Sequence, residues 1–248
     1  GAIRVVADEP VIDPKGRTFT YALDKDHWVV GGPVNNGGDV FRWARDNMFD
    51  AEKSTAALLG IDSYDLLTKI ASEVPAGSNG LIFHPYLGGE RAPIWDANAR
   101  GSFFGLNHQH TRAHMLRAVL EGITFNVYMV SLALEEVVGG LKSIQATGGF
   151  ARSPLWRQMF ADIFEQPVTV PEAFESGALA AVIVAQKALG KIDDLYEISN
   201  FIGKSNTYQP DPENFEAYRE LAPIFIRLSR QLQSEYENIA NYQRKHSN

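Results

Sequence analysis

The run Thr147-Gly148-Gly149-Phe150-Ala151-Arg152-Ser153-Pro154 follows a β-type stretch, Ser143 to Thr147, and opens a helical one, Ser153 to Phe164. Ser153 is a natural N-cap and Pro154 a natural first helical residue. Paired glycines at a strand-to-helix turn let a flat or anionic ligand reach the backbone, where the helix N-terminus offers free N–H donors and partial positive charge. The same pair also makes a plain tight turn, and the turn alone does not decide between the two. A second glycine-rich stretch, Gly31 to Gly38, precedes a helix whose start carries Gly38 and Arg42. Neither stretch is GxGxxG or GxxxxGK[ST], so a Rossmann or P-loop site has no support.

Other chemistry-bearing groups read as structural. His108, His110 and His114 cluster, but the chain has no cysteine and no carboxylates gathered beside them to complete a tetrahedral metal site. Glu90 with Arg91, and Asp96 with Arg100, are expected to form internal salt bridges that hold a long loop. Glu121 lies mid-helix and is expected to make an internal hydrogen bond. Asp50, Glu52 and Glu73 read as a solvated face. Trp43, Trp95 and Trp156 are expected to pack, because stacking on single-stranded nucleic acid needs a basic groove beside them. No G-x-S-x-G or HExxH occurs, so hydrolase triads and zincins find nothing here.

The elements that must position the glycines follow from periodicity. Short β runs at Ile3 to Val6, Thr18 to Leu23 and His27 to Val30, separated by Asp/Pro/Gly turns, predict an antiparallel meander. Helical spacing follows at Val40, Phe41, Trp43, Ala44 and Met48, then at Ser63 to Ala71 behind Asp62 as N-cap. Leu81 to Leu87 reads as a buried strand before the long polar loop. Thr111 opens the clearest helix, with Met115, Leu116, Val119, Leu120, Ile123, Val127 and Val130 on its apolar positions and Gly139-Gly140 as its stop. Strand Ser143 to Thr147, helix Ser153 to Phe164, strand Val168 to Val170 and helix Ser176 to Leu189 make an α/β unit with a partly parallel sheet. Phe215 to Tyr242 reads as a long C-terminal helix, with Pro223 expected to kink or interrupt it.

The 248 residues, at roughly 150 per domain, allow one large domain or two small ones. With 45% hydrophobic and 21% charged residues the composition is that of a globular chain. The net charge of −7 argues against a nucleic-acid backbone or an anionic membrane as partner. No run reaches the roughly 18 apolar residues of a membrane span, and no signal peptide is visible. The absence of cysteine fits a reducing cytoplasm.

Three blocks taken together carry a resemblance. Gly101-Ser102-Phe103-Phe104-Gly105-Leu106 with His114-Met115 and Ala118 to Glu121, preceded by HPYLGGERAPIWDANAR, resembles the second signature of the FGGY carbohydrate kinases. ATGGFARSPLWRQMFADIFEQPV, followed by Glu175-Ser176-Gly177-Ala178-Leu179-Ala180-Ala181, resembles the family's adenosine motif and the helix behind it. HWVVGGPVNNGGDVFRWARD is similar to its gluconate-kinase branch.

The resemblance implies an α/β, actin-like (ribonuclease-H-like) domain with a mixed sheet, flanking helices and a long C-terminal helix. Residues 1–248 would be the C-terminal domain, with 1–190 as its core and 191–248 as an extension and helix. A sugar-binding N-terminal domain would be its partner, and the start at Gly1 would cut through a phosphate loop. The implied activity is ATP- and Mg2+-dependent phosphorylation of a small sugar acid, D-gluconate to 6-phosphogluconate, in the cytoplasm. No nucleic acid or membrane is involved, and a homodimer is compatible with the family. Another FGGY kinase, for xylulose or glycerol, and a non-catalytic actin-fold nucleotide binder are the alternatives. By position, Gly148 and Gly149 would line the adenosine and ribose, with Ser153 near the base. Gly38 would leave room for the phosphates. Arg42 would be either a phosphate or ribose contact or a solvated helix arginine. Phe150 stands where the family usually has Gly or Ala. The general-base Asp is expected upstream, so no catalytic residue and no metal ligand is assigned to this chain, which alone is expected not to phosphorylate sugar.

Overall fold

The structure is a computed structural model that describes residues 1–141, 143–171, 176–203 and 205–246. Glu175, quoted above, lies outside them. Strands β1 (Ala2–Ala7), β2 (Phe19–Ala22) and β3 (Trp28–Pro33) open the chain. They are antiparallel but not a meander: the order is β1-β3-β2, with Val5 opposite Val30 and Tyr21 opposite Val29. Burial explains the order. Val29 to Gly32 of β3 are buried on both faces, so β3 takes the centre, whereas β1 alternates exposed with half-buried residues and lies at an edge. Between β1 and β2 the chain folds over Asp13, whose carboxylate accepts from the backbone N–H of Lys15 (3.1 Å) and Arg17 (2.8 Å) and from the Arg17 guanidinium (3.0 Å).

Helices α1 (Gly38–Asn47), α2 (Asp50–Leu59) and α3 (Ser63–Ser72) follow. Asp62 caps α3 as expected, accepting from the Tyr64 N–H at 2.7 Å. No apolar stripe announces α2, because it buries only Ala56 and leaves Leu58 exposed. Strand β4 (Ile82–His84) is shorter than the apolar run predicted and pairs with β5 (Ser102–Phe104).

Helix α4 (Arg112–Val138) is the axis of the fold, touching β1, β3, β4, α1, α3 and α5 (Pro154–Phe164). A capping box of Thr111 and His114 starts it, and Gly139 at φ +85° ends it. Gly122 lets it press onto β4, because a Cβ there would lie 2.0 Å from the Phe83 carbonyl oxygen. Its length and composition match a membrane span, but 78% of its most apolar window is buried inside the fold, as in a core helix.

A second sheet holds β6 (Ile144–Gln145), β7 (Val168–Pro171) and β8 (Ser205–Tyr208). β6 and β7 are parallel, joined through α5, and β8 adds antiparallel to β7. Helix α6 (Ser176–Ala188) follows β7. The C-terminal segment is helical as predicted, but its break lies elsewhere: α7 (Pro212–Gln231) runs through Pro223, and Leu232 separates it from α8 (Gln233–His246). Packing holds α7 across the proline. Tyr218, Ala222, Phe225 and Ser229 form its buried face. The Tyr218 hydroxyl accepts from Arg117 (2.9 Å) and donates to Glu121 (3.0 Å), and the Phe225 carbonyl accepts from His84 Nε2 (3.0 Å).

Candidate functional site

A cleft of about 1020 Å³ runs between the β1-β3-β2 and β6-β7-β8 sheets, with β1 on one wall and residues 143–150 on the other. The start of α1, Asp62 and Tyr64 at the head of α3, and an aromatic floor complete it. In that floor Phe150 packs on Phe160 with ring centroids 4.5 Å apart, Phe160 stacks on Phe164 at 5.6 Å, and Trp156 meets Phe41 edge-on at 5.6 Å. Trp156 Nε1 donates to Thr124 Oγ1 at 3.0 Å, so the indole is fixed from behind.

Four of the five residues singled out from sequence, Gly38, Gly148, Gly149 and Ser153, line this one cleft although more than a hundred positions separate the first from the rest. Gly148 has φ +109° and ψ −177°, a conformation essentially restricted to glycine. Gly38 and Gly149 are different. Neither is left-handed, and a Cβ on either would meet nothing within 4 Å. The chain's own packing therefore demands no glycine at either place, and what the missing side chains leave is open space against backbone N–H groups at two helix starts. That arrangement suits a ligand with a flat or anionic surface. Ser153 Oγ accepts from the Trp156 N–H at 3.3 Å and caps α5, with Pro154 as the first helical residue. Arg42 stands apart: it is exposed, does not line the cleft and bonds to no described residue.

Two cleft arginines were not singled out from sequence. Arg4 and Arg152 are exposed, line the cleft and form no ion pair with a described residue. The Arg4 stem lies over Gly31, where a Cβ would come within 2.9 Å of Arg4 Cγ. Burial periodicity hides such residues, since a cation awaiting a ligand and a solvated cation look alike in sequence.

The remaining groups have structural work. Among the described residues no three His, Asp or Glu side chains are placed to hold a metal ion. His114 Nδ1 serves the Thr111 cap, and His110 Nδ1 accepts from the Asn107 N–H at 3.0 Å. Glu121 is buried and accepts from the Gly77 N–H (2.9 Å), Ser78 Oγ (2.7 Å) and Arg117 Nε (2.8 Å). Burial pushes its carboxyl up, against the pull of the Arg117 guanidinium. The expected Glu90–Arg91 and Asp96–Arg100 salt bridges do not form among the described residues. Hydrogen bonds hold that loop instead, with Arg100 Nε donating to Gln243 Oε1 at 2.7 Å. Trp95 is not core either: it is half exposed, and its Nε1 donates to the Arg17 carbonyl at 3.1 Å.

The description "FGGY family of carbohydrate kinases, C-terminal domain" matches residues 2–189. The chain belongs to this family. It is 56% identical over 245 residues to gluconokinases of Bacillus licheniformis and Bacillus subtilis (strain 168), a match that covers 98% of this chain and 48% of each relative. A xylulose kinase of Bacillus subtilis (strain 168) is 33% identical over 230 residues, covering 92% of this chain and 44% of that protein. Among solved structures, gluconate kinase from Lactobacillus acidophilus superposes with a TM-score of 0.86 at 44% identity, over 96% of this chain and 46% of that one. The chain thus spans about half the length of the curated relatives it matches. Its α/β architecture is the actin-like, ribonuclease-H-like fold of these FGGY neighbours.

Proposed function

We propose that residues 1–248 are the nucleotide-binding domain of a gluconokinase, which transfers the γ-phosphoryl group of ATP to D-gluconate and yields 6-phosphogluconate. The observation that carries this reading is the 56% identity to gluconokinases across 98% of the chain, against 33% and 35% to two curated xylulose kinases and 44% to a solved xylulose kinase. The cleft supports the nucleotide assignment. Gly148 and Gly149 would lie against the ribose and adenine, with Ser153 beside the base and the start of α1 at Gly38 near the phosphates. Arg4 and Arg152 would supply positive charge, and Arg42, one helical turn from Gly38, would reach a ligand that extends beyond the cleft. ATP brings the transferable phosphoryl group. The chain's own residues would bind and orient it, and closure by a second domain would keep water from it, which together are most of what phosphoryl-transfer catalysis requires. The described residues offer no set of ligands for Mg2+, so no step is assigned to a metal on this chain. The partner that completes the site would be a sugar-binding N-terminal domain, and the setting the cytoplasm.

Calorimetric titration of the chain with ATP and ADP tests the reading. Saturable binding of both is expected, with no heat from gluconate alone. A chain that binds neither nucleotide would sink it. A substrate panel on the longer polypeptide, with gluconate, xylulose and glycerol side by side, separates the gluconate assignment from its FGGY alternatives.

A further inference from the structure

Behind the cleft, Glu90 is 2% exposed and carries a dense polar network. Its Oε1 accepts from the backbone N–H of Asn35 (2.6 Å) and of Arg91 (2.7 Å). Its Oε2 accepts from the side-chain amides of Asn36 (2.9 Å) and Asn126 (2.7 Å). No cationic side chain is among these partners. The Arg91 guanidinium instead donates to Asn35 Oδ1 (2.7 Å) and the Val34 carbonyl (3.3 Å). Asn36 closes the network, donating to the Gly89 carbonyl (2.6 Å) and accepting from the Gly88 N–H (3.2 Å).

A buried carboxylate held by neutral donors is a costly way to join two loops, because apolar contact would join them without desolvating a charge. What it provides is position: a carboxylate offers acceptor sites in several fixed directions, and here four are filled. The turn it grips, Val34 to Asn36, runs straight into Gly37, Gly38 and the first turn of α1. Val34, Gly37 and Gly38 all line the cleft. Glu90 itself does not.

We propose that Glu90 is a positioning residue for the cleft: its four hydrogen bonds fix the Val34–Gly38 turn, and so set where the N-terminus of α1 meets the ligand. The inference rests on the reading that this cleft takes a nucleotide. It also predicts which partner can compensate. A glutamine at 90 offers one acceptor where four donors converge, so part of the network must fail. Asn126 Oδ1 is buried and has no hydrogen-bond partner among the described residues. An aspartate at 126 accepts from the new amide in either orientation, whereas asparagine does so only by turning its amide over; the Asn36 bond to position 90 is lost in both.

The experiment compares wild type, E90Q, the double variant E90Q/N126D and Y86F. Y86F loses the Tyr86–Ser229 hydrogen bond, touches neither the cleft lining nor the Glu90 hydrogen bonds, and serves as a control for stability alone. Each chain is titrated with ADP well below its melting midpoint, and amide hydrogen exchange over residues 35–40 is followed without ligand. E90Q should weaken ADP binding by roughly tenfold, the scale of one lost charge-assisted hydrogen bond. It should also speed exchange over 35–40, and the double variant should recover part of both. Y86F should lower the midpoint and change neither. A folded E90Q with wild-type exchange over 35–40 overturns the inference whatever the nucleotide result. Faster exchange in E90Q with unaltered ADP affinity reduces Glu90 to a structural residue and equally overturns it. A wild-type chain that binds no nucleotide removes the reading beneath, and the exchange data then still report whether Glu90 holds the turn.

Discussion

Gly38 and Gly148 line the same cleft for different physical reasons, and substitution should separate them. Gly148 sits at φ +109° and ψ −177°, so Gly148→Ala should cost about 1–3 kcal/mol in backbone strain, read in a denaturant melt, along with weaker nucleotide binding. Gly38 is a helical residue whose Cβ would enter open space. Gly38→Ala should therefore leave the fold intact or stabilise it by up to about 1 kcal/mol, because alanine is the better helix former. The same methyl would intrude on a bound ligand, and calorimetry should show affinity reduced roughly tenfold, as expected where displaced contact costs near 1.4 kcal/mol. A more stable Gly38→Ala that binds ADP as tightly as wild type would remove Gly38 from the site. Asp13 marks a different residue-scale effect. Its four hydrogen bonds, led by those from the Arg17 guanidinium, hold its carboxyl down to about 2 from an ordinary 3.8. The folded form is thus favoured while Asp13 is ionised. That contribution is fully present above the unfolded value and is lost as pH falls from about 4 through about 2. Asp13→Asn should destabilise the chain by on the order of 1–2 kcal/mol at neutral pH, with the gap from wild type closing over that acid window. The turn at Asp13 was legible in the sequence, but the convergence of donors on its carboxylate and the Glu90 network were not. Each depends on which backbone N–H groups converge on a carboxylate, and residue types do not encode that.

The elements most readable from sequence are those whose burial follows one period. α4 begins at Thr111 and stops at Gly139 as its apolar spacing and terminal residues require, and α5 begins behind Ser153. β8 and α2 escaped for complementary reasons: Ser205–Tyr208 is a polar strand added at a sheet edge, and α2 buries a single alanine. Local rules also misplaced the C-terminal break. Pro223 removes one N–H from α7, yet the helix continues because Tyr218 on one side and Phe225 and Ser229 on the other are anchored to Arg117, His84 and Tyr86. Tertiary packing then outweighs the proline's cost, which in a helix interior is about 3 kcal/mol. The consequence is measurable. Pro223→Ala should restore the missing bond and raise stability by at least about 1 kcal/mol. If thermal unfolding shows a loss instead, the proline supports the packing of α7 and does not oppose it.

At the scale of the whole molecule, the cleft presents glycine-lined backbone on two walls and few carboxylates among the described residues. The carboxylates that line it are Asp62 and Asp65. Asp62 is engaged as the cap of α3, and Asp65 belongs to the first turn of the same helix. Transfer of a phosphoryl group to a sugar hydroxyl needs one carboxylate positioned to accept the hydroxyl proton, together with walls that fix the acceptor in line. The match covers 48% of a gluconokinase's length, and on the proposed reading nucleotide binding would fall to this chain and proton abstraction with sugar recognition to the other half. The two functions should then come apart in one pair of assays. The 248-residue chain should bind ATP and ADP in the calorimeter, yet show no release of ADP above background with gluconate in a coupled assay. The longer polypeptide should show both. On the proposed reading the isolated domain would be a poor ATPase as well, because the second domain would supply the base and close over the nucleotide. Gluconate phosphorylation by the isolated chain at a rate near that of the longer protein would mean that a catalytic base lies within these residues, and Asp65 would be the first carboxylate to replace.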